Sequence, residues 1–245
     1  MTRAAERTRR EFLASASIFG WIPFLRRHEV ALAGARFRII YNGHSDRHYL
    51  LIHGDEESAR KVLLYHIRAH QGVAFVVEGH TREVAVADGK IDPNRMFTRV
   101  GAAASLRHLN PDWSEQQIDA ALRVLDAGRE KLVKALAPPR GGILMALHNN
   151  SAEYSVLDEK PISDAVSLRE PGNPHAFFLC TDEDDYRILS TSPYNVVLQN
   201  KPKRDDGSLS VLAAGRGFRY LNLEVALNQP ERQQEMLMWA EWNLK

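Results

Sequence analysis

Only one cysteine, Cys180, occurs among the 245 residues, so no intrachain disulfide can form. Cysteine-rich metal frameworks are excluded with it, and any metal must be held by histidine, aspartate or glutamate. An excess of charge is lacking as well. The 32 lysines and arginines face 31 acids, for a formal net charge of +1. A surface for nucleic acid is therefore not expected. No apolar run reaches the length of a membrane-spanning helix, and neither an internal repeat nor a low-complexity segment is found. What remains is the composition of an ordinary globular protein, at a length suited to one generous domain. Nothing in it fixes an oligomeric state.

The first 27 residues stand apart. Thr8-Arg9-Arg10-Glu11-Phe12-Leu13 has the form of a twin-arginine export signal, an apolar stretch follows over residues 14–25, and Arg26 and Arg27 close it. The order of basic, apolar and polar segments is that of a secretory address. Residues 1–27 are accordingly read as a signal segment and residues 28–245 as one domain, exported or periplasmic. The alternative is a short amphipathic helix on a cytoplasmic protein.

Hydrophobic periodicity sets out the domain. Residues 36–41 alternate as a half-buried strand does, and 49–52 form a short buried one. Residues 56–70 have helical spacing through Ala59, Val62, Leu63 and Ile67. Strands are predicted at 73–77 and 83–87, with a turn at Asp88-Gly89. Ser114 and Gln117 form a capping-box pattern that opens a long helix, which Pro138 and Pro139 end. Further strands are predicted at 142–147, 176–179, 195–198, 209–212 and 220–226, and Pro230 starts a last helix. The alternation of strands and helices predicts an α/β fold: a single domain with a mixed central sheet and helices on both faces.

The chemistry centres on Leu50-Leu51-Ile52-His53-Gly54-Asp55-Glu56. A buried strand delivers His53 to its carboxyl end, where sites of open α/β sheets lie, and Glu56 opens the next helix. A histidine and a carboxylate three residues apart can converge on one ion across that turn. Two nitrogens and a carboxylate, with one position left for water, make a catalytic zinc shell. A second His-x-x-Glu pair, His80 and Glu83, falls in extended chain. There, residues three apart point to opposite faces and cannot readily share an ion.

Ile91-Asp92-Pro93-Asn94-Arg95-Met96-Phe97 resembles the Asp-x-Asn-Arg-x-Phe element of the aspartoacylase and succinylglutamate desuccinylase family. The Asn-Arg pair is shared with the related zinc carboxypeptidases. Both groups run from a His-x-x-Glu pair to Asn-Arg, then to a lone zinc histidine at a strand end, then to a glutamate in a late strand. This sequence repeats that order, with His148 closing Gly142-Ile143-Leu144-Met145-Ala146-Leu147 and Glu224 inside Tyr220-Leu221-Asn222-Leu223-Glu224-Val225-Ala226. The resemblance covers most of residues 35–240. Pro93 inside the motif and Asn149-Asn150-Ser151 after His148 depart from it.

The resemblance implies a zinc-carboxypeptidase-like fold and one zinc ion on His53, Glu56 and His148. Glu224 would be the general base; a glutamate in an apolar strand needs a partner or a task, because burying it unpaired is costly. Asn94 and Arg95 offer a fork of donors for a substrate carboxylate. Tyr194 matches by position a tyrosine that covers substrate, and Arg99 or Arg107 is expected to face an oxyanion. The implied reaction is hydrolysis of an amide bond near a free carboxylate, on a peptide of cell-wall origin if the chain is exported. An N-acyl amino acid deacylase is the nearest alternative. A non-catalytic binding domain on the same fold is the alternative of another class.

Overall fold

The computed structural model describes residues 28–150 and 154–245, so the export-signal expectation lies outside the described residues. The strands are β1 (His28–Leu32), β2 (Ala35–Asn42), β3 (Arg47–Leu51), β4 (Gly72–Val77), β5 (Val84–Val86), β6 (Gly89–Ile91), β7 (Ile143–Asn150), β8 (Ala165–Ser167), β9 (Phe177–Cys180), β10 (Asn195–Leu198) and β11 (Arg219–Ala226). The helices are α1 (Glu57–Ala69), α2 (Arg99–Leu109), α3 (Glu115–Leu136), α4 (Val156–Glu159), α5 (Glu183–Leu189), α6 (Leu209–Arg216) and α7 (Pro230–Asn243). Nine strands form one sheet in the order β1-β2-β4-β3-β7-β11-β9-β10-β8, and β5 pairs with β6 in a separate hairpin.

The sheet is mixed. Its middle, β4-β3-β7-β11, is parallel throughout. Antiparallel pairings set off β1-β2, β2-β4, β11-β9 and β10-β8. Alternation along each strand sends side chains to two separate cores. Leu50, Ile52, Leu144, Ala146 and Tyr220 meet α2, α3 and α6 on one face. Tyr49, Leu51, Met145, Leu147, Leu221 and Leu223 meet α1, α5 and α7 on the other. The chain is thus a single α/β domain with a large mixed sheet covered on both faces; the periodicity predicts the α/β class and the two covered faces.

One expected strand is a helix. Residues 209–212 open α6, which Ser208 caps through its hydroxyl and Gly217 ends in the left-handed region at φ 68°. Three apolar residues and Ser210 have no clear period of their own, and the capping pair decides the outcome. α2 and α5 are further helices that the apolar pattern does not reveal. Each begins at a side-chain cap, Thr98 and Asp182, rather than at a strong apolar stripe. The capping box of Ser114 and Gln117 forms as its spacing predicts.

Candidate active site

Three adjacent parallel strands bring the predicted ligands together. β3 leads into α1 and on to β4 on one side, while the chain leaving β7 continues to strands on the other, so a crevice opens where the two connections part. His53 lies just past the end of β3. His148 is near the carboxyl end of β7, and Glu224 pairs with it in register on β11. His53, Glu56 and His148 are all buried, and one ligand atom from each lies within 4.8 Å of the others. Glu56 takes the N-cap position of α1 but makes no capping bond. Its carboxylate is turned inward instead, with Oε1 2.8 Å from His53 Nδ1 and 3.4 Å from His148 Nδ1.

The surroundings of His53 settle which nitrogen is available. Asp92 Oδ1 lies 2.9 Å from His53 Nε2 and also accepts from the Asn94 backbone N–H at 2.7 Å. Asp92 therefore holds the imidazole with Nδ1 toward Glu56, as an outer carboxylate does for a metal-bound histidine. Burial opposes a charge on His53, but Glu56 and Asp92 on its two sides outweigh it and push the pKa up to about 9. Burial likewise works against ionised Glu56, and the two histidines outweigh it, holding its pKa down at about 2. A proton shared between buried carboxylates and imidazoles stands where a divalent cation would satisfy the same groups. Two atoms make this concrete: Glu56 Oε2 and His148 Nε2 are buried and have no hydrogen-bond partner. Two imidazoles and a carboxylate are a donor set that suits zinc.

The turn between the ligands is tight. A Cβ on Gly54 would lie 2.6 Å from the Thr81 carbonyl oxygen and 2.9 Å from its nitrogen. The Gly54 N–H also donates to that oxygen at 3.0 Å. Gly54→Ala must push the two segments apart, at a cost of roughly 1–3 kcal/mol for overpacking. The variant is expected to melt at a lower temperature and to bind metal more weakly, read by thermal unfolding and calorimetric titration. Unchanged metal affinity would show that the turn does not hold the ligands in place.

Glu224 is 6% exposed, and Asn222 Nδ2 donates to its Oε1 at 3.0 Å. Burial pushes its carboxyl above the ordinary range, Glu56 adds to this, and His148 opposes it. A carboxyl raised in this way takes up a proton more readily than a free glutamate, which suits a group that exchanges protons with water. Glu224 and both histidines line a cavity of about 670 Å³, together with Glu56, Asn94, Arg95 and Tyr154. Arg95 Nη1 is 3.4 Å from Asp206 Oδ2, and Asn94 Oδ1 accepts from the Leu209 N–H at 3.2 Å. The Asn-Arg pair therefore faces the cavity, but its guanidinium already has an acidic neighbour.

Three expected residues lie elsewhere. Tyr194 is not on this cavity. It shares parity with Val196 and Leu198 on β10, the side packed against α7, where Arg232 lies 4.5 Å from its ring centroid. The cavity is on the opposite face, that of Gln199, Asn222 and Glu224. Arg99 pairs with Asp119 and Asp126, and Arg107 with Glu115 at 2.7 Å, all at the exposed surface of α2 and α3. The cavity's own cations are Arg82, Arg95 and Arg204. Of these, Arg82 approaches the ligands, with Nη1 3.6 Å from Glu56 Oε1 and Nη2 3.8 Å from Asp92 Oδ2. The tyrosine on the cavity is Tyr154, whose hydroxyl donates to Glu159 Oε1 at 2.7 Å. Asn222 was open to discovery from sequence, since it stands two residues before Glu224 and so on the same face. Tyr154 and Glu159 carry no such signal, because they come from the connection after β7.

The chain matches no family model and no curated protein. Among solved structures it is similar to a crystal structure from Shewanella denitrificans described as a candidate metallopeptidase. The two share 12% identity at a TM-score of 0.45, over 90% of this chain and 85% of that one, a likeness too distant to carry the site.

Proposed function

We propose that this protein is a metal-dependent hydrolase of amide bonds, with a zinc ion held by His53, Glu56 and His148. The observation that carries the reading is the convergence of one ligand atom each from buried His53, Glu56 and His148, all within 4.8 Å of one another, one strand away from a buried glutamate in register with His148. Bound there, the ion would supply Lewis acidity, acidifying water and polarising the amide carbonyl. The chain's own residues do the rest. Asp92 fixes the His53 ring. Asn222 orients the Glu224 carboxylate, which takes a proton from the attacking water and passes it to the departing amine nitrogen. Arg82 is the guanidinium placed to face developing negative charge beside Glu56.

A cavity of about 670 Å³ suits a small substrate held largely within the protein. That favours a dipeptide or an N-acyl amino acid over a long chain. Asn94 and Arg95 would take its free carboxylate, with Arg95 turning from Asp206 to do so. Lysine cannot reproduce the guanidinium fork, and a charge-assisted bond is worth roughly 1.5–3 kcal/mol. Arg95→Lys is therefore expected to lower kcat/KM on a free-acid substrate by about ten- to a hundredfold. It should leave hydrolysis of the amidated counterpart, already slow, nearly unchanged. The test is a screen of zinc-loaded protein on acyl amino acids and dipeptides, each as acid and amide. Hydrolysis of both forms at equal rates by the wild type would remove the carboxylate clamp.

A further inference from the structure

Away from the ligand atoms, four more side-chain atoms on the cavity wall are buried and have no hydrogen-bond partner: Asn150 Oδ1, Glu159 Oε2, Gln199 Oε1 and Asn222 Oδ1. All four are acceptors. Their residues are only 6–7% exposed, so water reaches them poorly. In two of the amides the oxygen is fixed by what the nitrogen does. Asn150 Nδ2 donates to the His175 carbonyl at 2.8 Å, and Asn222 Nδ2 to Glu224 at 3.0 Å. Turning either amide would set oxygen against oxygen.

Topology explains why these atoms share one wall. Asn150 has the parity of His148 on β7, and Asn222 that of Glu224 on β11. Gln199 follows β10 with the parity of Val197, on the same face, and Glu159 reaches it from the end of α4. Buried acceptors without donors are costly and rare in folded proteins. Four on one cavity call for a ligand rich in N–H groups.

The charge narrows the ligand further. Six carboxylates line the cavity, and three guanidiniums with a divalent ion on His53, Glu56 and His148 would offset only five of them. Burial pushes the Glu159 carboxyl above its usual range and Asp206 and Glu224 add to this, against the Tyr154 hydroxyl and Arg204. Arg204 is exposed, and among the described residues it forms no ion pair with Glu159. A neutral hydroxyl or amide would satisfy the amide oxygens, whereas a cation would in addition hold the buried Glu159 carboxylate in its ionised form.

We propose that Asn150, Glu159, Gln199 and Asn222 form a subsite for a cationic amine, so that the substrate carries an ammonium or guanidinium side chain. The proposal rests on the hydrolase reading only in calling the ligand a substrate. The experiment is calorimetric titration of metal-loaded protein with the N-acetyl derivatives of lysine, ornithine and arginine, each compared with N-acetylnorleucine. All four carry the same carboxylate and differ at the side-chain end. At least one cation is expected to bind about tenfold tighter than norleucine, the effect of one or more charge-assisted bonds. Glu159→Gln, with its fold checked by melting, should lose that preference while binding norleucine as the wild type does. Equal affinities across the series on wild-type protein would overturn the proposal without reference to any variant, as would a preference that survives in Glu159→Gln. Cation preference without hydrolysis of any acyl amino acid would keep the subsite and discard the hydrolase reading. Hydrolysis without preference would do the reverse.

Discussion

Glu224→Gln is expected to lower turnover by about a hundredfold to ten-thousandfold while leaving the metal content unchanged. The substitution keeps the side chain's shape, so Asn222 can still bond to its oxygen. What it removes is the ability to accept a proton from water. Because Glu224 lies beside His148 in register but is not among the three ligands, loss of activity should separate from loss of metal. Steady-state rates and metal content, measured on the same preparation, give both numbers. Near-normal turnover in Glu224→Gln would take the residue out of the chemistry and leave the site as a metal centre of another kind.

Removing the metal should cost stability as well as activity. A ligand that binds only the folded state at a hundred times its Kd stabilises by about 2.7 kcal/mol. In a domain of this size each kcal/mol moves Tm by roughly 2–4 °C. Chelation is therefore expected to lower Tm by about 5–10 °C in the wild type. In His148→Ala, which has lost a ligand, chelation should change Tm little. The sign follows from burial: without the ion, the buried Glu56 and His148 side chains keep their desolvation cost with less to offset it. An equal fall in Tm for both proteins would place the stabilising ion elsewhere.

The strands that carry the site were legible because polar residues interrupt apolar ones at period two. Glu224 stands out between Leu223 and Val225, and His148 follows Leu147 at the end of a buried run. Their shared face follows from the register that pairs Glu224 with His148, which the sequence does not carry. The turn from His53 to Glu56 was legible from a strand running into a helix. Tyr194 shows where reading by position fails. Its place in the order of motifs fitted a substrate-covering role, yet its parity with Val196 sends it under α7. The outer residues were harder to find. Asp92 acts across 39 positions of sequence, Tyr154 and Glu159 flank the short helix α4 at its start and end, and Arg82 reaches the ligands from the segment before β5. No local period marks such contacts. The strand expected at 209–212 failed for a related reason: so short a run, three apolar residues and Ser210, fits a strand or a helix equally, and Ser208 and Gly217 settle the matter from outside it.

The central claim is that His53, Glu56 and His148 together hold one ion. Elemental analysis of purified wild type, His53→Ala and His148→Ala tests it most directly. About one zinc per chain is expected in the wild type, and loss of most of it in each variant. Stoichiometric zinc retained by both variants would contradict the account.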